Sequence, residues 1–144
     1  PSNENTFRAL VISDLHIGQS YSLSKSFSLK DVEQFAELSM DHNPVHLEQE
    51  YASHSLFGKR IVHGYLTSSL FSAIIGTKMP GPGSIYIKQD LTFKKPVFHD
   101  EMITASVTIR DIKTEKSIIF LDTICTKDNG EIAIEGNAIV KLIE

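Results

Sequence analysis

Cysteine occurs once in this chain of 144 residues, at Cys125, so no internal disulfide can staple the fold. A lone thiol suits a reducing compartment. Its place in an apolar, strand-like run makes it a buried inert residue rather than a nucleophile. Positive charge is not in excess either. Lys and Arg number 14 against 18 Asp and Glu, which leaves a net charge of -4 and no basic face. That argues against a nucleic-acid binder. The nearest approach to a basic patch is Lys94-Lys95 with Lys88 upstream, read as solvated strand residues or as contacts to a phosphate. Long apolar runs are also missing. The longest apolar window, around Leu70 to Ile75, contains a serine and ends at Gly76, too short to span a membrane. No secretory pattern, repeat, low-complexity segment or linker is visible. The first residue is Pro1, which fits a trimmed, a processed or an imported chain alike. The expected location is the cytoplasm, with the mitochondrial matrix as the alternative.

What is present fits one globular domain over residues 1–144, with residues 1–18 as a lead-in containing the short apolar run Leu10-Val11-Ile12. Tyr21, Leu23 and Phe27 among serines suggest a strand. Ser28 followed by Asp31 is a variant capping box, and Val32, Phe35, Ala36 and Ser39 then share one helical face. Glu48 to Ser55 reads as a short helix closed by Phe57-Gly58. Tyr65 to Ile75 is apolar around most of its circumference, which predicts a buried helix bounded by Gly64 and Gly76. Beyond Pro82-Gly83 the period changes to two. Ile85, Ile87, Leu91 and Phe93 lead up to Pro96, then come Ile103 to Ile109 and Ile118 to Cys125. Asp128-Asn129-Gly130 marks a hairpin, and Glu131 to Ile143 a last strand bent at Gly136. This order predicts an α+β protein, one long helix wrapped by an antiparallel sheet, with dimerisation through sheet edges.

Two short stretches carry chemistry. Ile12-Ser13-Asp14-Leu15-His16 resembles the first motif of metallophosphoesterases, whose Asp and His serve a two-metal centre. The further ligand blocks that such a centre needs do not follow, so a strand end and turn is the better reading. The second stretch is Ser39-Met40-Asp41-His42-Asn43-Pro44-Val45-His46. Pro44 fixes its own φ and keeps Asn43 out of helical space. Asn43 can bond nearby amides. A turn of this kind can aim Asp41 and His46 into one cavity, where a carboxylate beside an imidazole holds and activates a water. Read blandly, Asp41 would only cap a helix and His46 would lie on the surface.

Ser39, Asp41, Asn43, Pro44, Val45, His46 and the later Ala52 match the signature of the MaoC-like (R)-specific enoyl-CoA hydratases and 3-hydroxyacyl thioester dehydratases, which have the hotdog fold. Met40 stands where that signature usually has glycine, a departure at a helix end that is expected to cost little. Ile61-Val62-His63-Gly64 resembles the family's opening of the central helix, and Met79 to Ser84 the loop that follows it. The resemblance covers about residues 20 to 144. It implies a trans-2-enoyl thioester as substrate, of CoA or of an acyl carrier protein, and a homodimer. It implies no cofactor and no metal. The backbone N–H of Gly64 would hold the thioester oxygen. Asp41 is expected as base on a shared water and His46 as the acid at C2, the reverse remaining open. Asn43 and Ser39 would support the turn, and His63, which precedes Gly64, would support the turn there. Leu66, Ser69, Leu70, Ser72, Ala73 and Ile75, with Pro82 and Gly83, would line the substrate pocket. His16, His42, His54 and His99 have no partner that the sequence suggests. The alternatives are a hotdog thioesterase, disfavoured because residues 65–75 lack a carboxylate, and a non-catalytic protein that binds acyl thioesters.

Overall fold

The computed structural model describes residues 11–143. Leu10 and most of the expected lead-in lie outside that range. Ile12–Asp14 forms a 3-10 turn, with Asp14 Oδ2 accepting the Val11 amide at 3.1 Å. This is a turn, as read for the Asp14-Leu15-His16 stretch. A strand β1 (Ser20–Lys25) leads to helix α1 (Leu29–Ser39). The capping box at its start is present, with Ser28 Oγ accepting the Asp31 amide and Asp31 Oδ2 accepting the Ser28 amide. Two short helices follow, α2 (Pro44–Leu47) and α3 (Gln49–Ser53), then the long helix α4 (Gly64–Thr77). The strands β2 (Ser84–Gln89), β3 (Thr92–Phe93), β4 (Ile103–Lys113), β5 (Ile118–Lys127) and β6 (Ile132–Leu142) complete the chain.

All strand pairs are antiparallel, in the order β1-β4-β5-β6-β2, with β3 also on β6. The alternation read from the sequence becomes the inner face of the sheet. Ile103, Ala105, Val107 and Ile109 are at most 1% exposed, and so are Ile119, Leu121, Cys125, Ala138 and Val140. Burial pushes the Cys125 thiol up to about 12, which makes it the inert core residue expected. Phe71, Ile74 and Ile75 of α4 complete this core, and the whole is the α+β hotdog architecture of a helix held in an antiparallel sheet.

Two expectations need correction. The long helix is not buried all round. Tyr65 is 71% exposed, and Ser69, Ser72, Ala73, Gly76 and Thr77 also face outward. The sheet covers one side of α4 and leaves a side of mostly small residues open. The run from Ile85 to Phe93 is not one strand. A bulge falls between Tyr86 and Lys88, and Asp90 breaks the run into β2 and β3. Because β2 is an edge strand, Ile85, Tyr86 and Ile87 are all exposed, so their alternation does not translate into burial. The glycine in β6 marks a close approach, since a β-carbon on Gly136 would collide with the Asp90 carbonyl. Asp90 is tied across that point, its amide donating to Asn137 O and its Oδ1 accepting the Asn137 amide, both at 3.0 Å.

One buried cation braces the segment between β3 and β4. Lys127 is 8% exposed, and its Nζ donates to Pro96 O at 2.8 Å and pairs with Glu101 at 3.3 Å. Glu101 Oε1 in turn accepts the Phe98 amide at 3.0 Å. Removing one partner of such a pair costs about 3–5 kcal/mol, because the other charge stays buried.

Met40 ends α1 in the left-handed region, at φ 70° and ψ 9°. A side chain there costs about 1–2 kcal/mol, a cost that glycine escapes. Met40→Gly, at an exposed site, is expected to raise the free energy of unfolding by about 1 kcal/mol, read from urea denaturation. No gain would show that the turn carries no backbone strain.

Candidate active site

Successive short bonds shape the turn from Ser39 to His46. Ser39 Oγ accepts the Asp41 amide at 3.1 Å, Asp41 Oδ1 the Asn43 amide at 3.2 Å, and Asn43 Oδ1 the Val45 amide at 3.2 Å. Asn43 is thereby the N-cap of α2, with Pro44 in the first helical position where its missing N–H costs nothing. This single helical turn, which the sequence did not suggest, carries His46 inward until it is 8% exposed, while Asp41 stays at the surface.

His46 Nδ1–H donates to Ile61 O at 2.8 Å, which leaves Nε2 as the free ring nitrogen. Burial holds the His46 pKa below its ordinary 6.5, with the Ile61 bond and Asp41 pulling the other way. His63 is 1% exposed, its Nε2–H donates to Asp41 O at 3.0 Å, and its ring stacks on His46 at 3.8 Å between centroids. The edge of its ring also meets Phe35 at 4.8 Å. His63 therefore joins the Asp41 turn to the start of α4, a wider role than the support of a turn that the sequence suggested. Its place beside Gly64 was the signal.

Gly64 is the first residue of α4, so its N–H has no partner within the helix, and the His63 side chain makes no cap bond. A β-carbon on Gly64 would collide with the ring of Phe93. Gly64 lines a cavity of about 300 Å³ with Ile61, Val62, Thr67, Phe93 and Val97 among its walls. Asp41 and His46 are not on those walls, but Ile61 is, and its carbonyl orients His46.

Asp41, His46 and His63 each offer a ligand atom, all within 4.8 Å of one another. Their arrangement is poor for a metal. The two rings are stacked at 3.8 Å and lie 27° from parallel, so their in-plane lone pairs do not converge on one point.

The remaining predicted pocket residues scatter. Leu66 borders an open groove with Phe35 and Leu38, and Ser69 another with Tyr86 and Gln89. Leu70 and Ile75 belong to the core, whereas Ser72 and Ala73 are exposed. Pro82 and Gly83 lie past the other end of α4, about 20 Å from Gly64 along the helix. Lys94 and Lys95 do border the cavity but pair with Glu135 at 2.6 Å and Glu131 at 3.5 Å. Thr67, Phe93 and Val97 were missed, because they resemble ordinary core and strand residues. Two histidines do have neighbours after all. His42 Nε2 lies 3.5 Å from Glu37, and His99 sits beside the main chain of His46.

A helix seated in an antiparallel sheet, with a carboxylate and two imidazoles clustered within 4.8 Å of one another at its start, defines a hotdog protein of the hydratase type. Known proteins agree. The profile of the MaoC like domain matches residues 14–128. An (R)-specific enoyl-CoA hydratase of Rhodospirillum rubrum is 45% identical over 127 residues, covering 88% of each chain. The solved (R)-hydratase from Aeromonas caviae superimposes with a TM-score of 0.87 at 44% identity, over 89% of this chain and 97% of that one. An R-hydratase from Pseudomonas aeruginosa gives 0.88 at 32% identity, over 94% and 87%. The chain belongs to the MaoC-like dehydratase domain family.

Burial also lowers the His99 pKa, with Arg60 adding to the effect. A histidine with a depressed folded pKa binds its proton more readily when unfolded. The stability it allows is therefore complete above the ordinary value of 6.5 and is lost as pH falls toward the folded pKa. Urea midpoints are expected to fall from about pH 6.5 downward, and His46→Gln should flatten that fall. A midpoint independent of pH across this range would contradict the burial of both rings.

Proposed function

We propose that this chain is a hydro-lyase that adds water reversibly to trans-2-enoyl thioesters to give (R)-3-hydroxyacyl thioesters. The observation that carries the reading is the Asp41 carboxylate within 4.8 Å of its histidine partners, with His46 Nδ1–H committed to Ile61 O and His63, stacked on His46, immediately preceding the first amide of α4. One water spans such a gap by two ordinary hydrogen bonds. The His46 tautomer supports His46 rather than Asp41 as the base on the water, while His46 keeps its expected role as the acid at C2. With Nδ1–H committed to Ile61 O and the ring kept neutral by burial, Nε2 starts without a proton and takes one from the water. Asp41 accepts the other hydrogen of the water and orients its oxygen toward C3. As the C3–O bond forms, the C2=C3 pair moves toward the thioester carbonyl, and the Gly64 N–H receives the charge on its oxygen. The proton on His46 then passes to C2 on the same face, which gives syn addition, and the R configuration at C3 follows the (R)-specific hydratases that the chain resembles. Dehydration is the reverse. Neither step calls for a cofactor.

Coenzyme A and an acyl carrier protein present the same thioester, and the CoA ester is the simpler substrate for these residues. A thioesterase reading is weaker, because α4 contains no carboxylate. A purely binding role leaves the His46 tautomer without a use. We also infer that the single domain works as a homodimer. The exposed β2 edge, with Ile85 at 48% and Ile87 at 54%, offers a place to add strands from a second copy. Sedimentation should give twice the chain mass, shifting toward one mass in Ile87→Lys.

The test is hydration of crotonyl-CoA, followed by loss of the absorbance of the conjugated thioester. Asp41→Asn and His46→Gln are each expected to lose about 10²–10⁴ in kcat with the fold retained. Full activity in either variant, or none in the native chain on short and longer enoyl-CoA substrates, would sink the reading.

A further inference from the structure

The cavity beside Gly64 holds a polar group that no protein atom satisfies. Thr67 is 1% exposed and lines the cavity, and its Oγ1 has no hydrogen-bond partner. Nearby hydroxyls on α4 behave differently. Ser68 Oγ donates to Gly64 O at 2.8 Å, Ser69 Oγ to Leu66 O at 2.5 Å, and Thr77 Oγ1 to Ala73 O at 2.6 Å. A hydroxyl in a helix ordinarily turns back to a carbonyl in this way. The Thr67 amide does bond His63 O, at 3.1 Å, but the hydroxyl does not. A buried hydroxyl with no partner is a standing cost that a methyl group of the same shape would not carry.

We propose that Thr67 Oγ1 recognises the pantetheine arm of the substrate by accepting a hydrogen bond from the amide N–H nearest the sulfur. This rests on the hydratase reading, which puts the thioester oxygen at the Gly64 N–H. Thr67 lies three residues further along the same face of α4, about 4.5 Å along the axis. In the arm, the sulfur and two methylenes separate the thioester carbonyl from that amide nitrogen, a comparable span. The walls between the two polar points suit methylenes, being formed by Val62, Phe93, Val97 and Ile134. Lys94 and Lys95 at the border are already paired with glutamates, so the neutral amide is the group this cavity is built to hold. Thr67 is thus a binding residue for the part of the substrate common to CoA and carrier-protein thioesters, distinct from the reacting pair.

Butyryl-CoA, which has no double bond to hydrate, is the probe. Its Kd is measured by calorimetry for the native chain, Thr67→Val and Thr67→Ser, with the melting temperature of each free protein. Thr67→Val is expected to weaken binding roughly five- to tenfold and to melt no lower than the native chain, while Thr67→Ser stays within about twofold. The ratio of kcat/KM for crotonyl-CoA to that for S-ethyl thiocrotonate, which lacks the amide, should fall roughly five- to tenfold in Thr67→Val. An unchanged Kd in Thr67→Val, an equal loss on the amide-free thioester, or no binding of butyryl-CoA by the native chain overturns the proposal. Binding with the expected Thr67 dependence but no hydration of crotonyl-CoA would instead remove the hydratase reading and leave the binding contact standing.

Discussion

The hydrogen bond from His63 to the carbonyl of Asp41 is the contact on which the site depends. It joins two stretches that are 22 residues apart in the chain, the turn that carries the carboxylate and the start of the long helix. Without it the Asp41 turn would keep its local bonds to Ser39 and Asn43 but lose this tie to the start of the helix. The stacking of His63 on His46 adds the second constraint, since the same ring that fixes the Asp41 backbone also fixes the imidazole plane. The Ile61 carbonyl adds a third, by choosing the tautomer. Three contacts from one short segment, Ile61 to Gly64, therefore set the position, plane and protonation of the groups around the proposed water.

That arrangement has a physical cost that the rest of the molecule offsets. Burying imidazoles beside one another leaves some ring nitrogens without partners, His63 Nδ1 and His99 Nε2 among them. The left-handed Met40 adds strain at the same place. The sheet supplies the surplus. Its inner face is a nearly continuous layer of branched side chains against Phe71, Ile74 and Ile75, and each fully buried residue of this kind contributes about 1.5–3 kcal/mol. Cost and surplus are separated in space, with the strained groups on the helical side and the regular ones in the strands.

Much of this was legible in the sequence, for reasons that differ from place to place. The Ser28 cap, the long strands and the hairpin at Asn129-Gly130 follow from local rules that tertiary packing did not override. The Asp41–His46 turn was legible because Pro44 and Asn43 restrict the backbone so strongly. The burial of α4 was misread because hydrophobic composition says how apolar a helix is and not how many sides of it will be covered. Small residues such as Ala73 and Gly76 count as apolar yet gain little from burial, so an open side costs them little. The cavity was missed for a related reason. Its walls come from residues far apart in the chain, such as Gly64, Phe93 and Ile134, and nothing in the local pattern of Thr67 distinguishes a hydroxyl facing a cavity from one bonded to its own helix.

The register of the sheet has a consequence for how the site comes into being. Strands β4, β5 and β6 are neighbours in sequence, joined by short connections, and pair in that order. Strand β1 pairs with β4 across most of the chain, Lys25 meeting Ile103. Closing that long loop is the larger entropic step. The loop contains α1 to α4, hence Asp41, His46, His63 and Gly64 together. A chain that has formed only the three-strand meander holds much of its apolar face and none of its chemistry. Pairing β1 with β4 is what encloses the segment that carries the candidate site between the ends of the sheet.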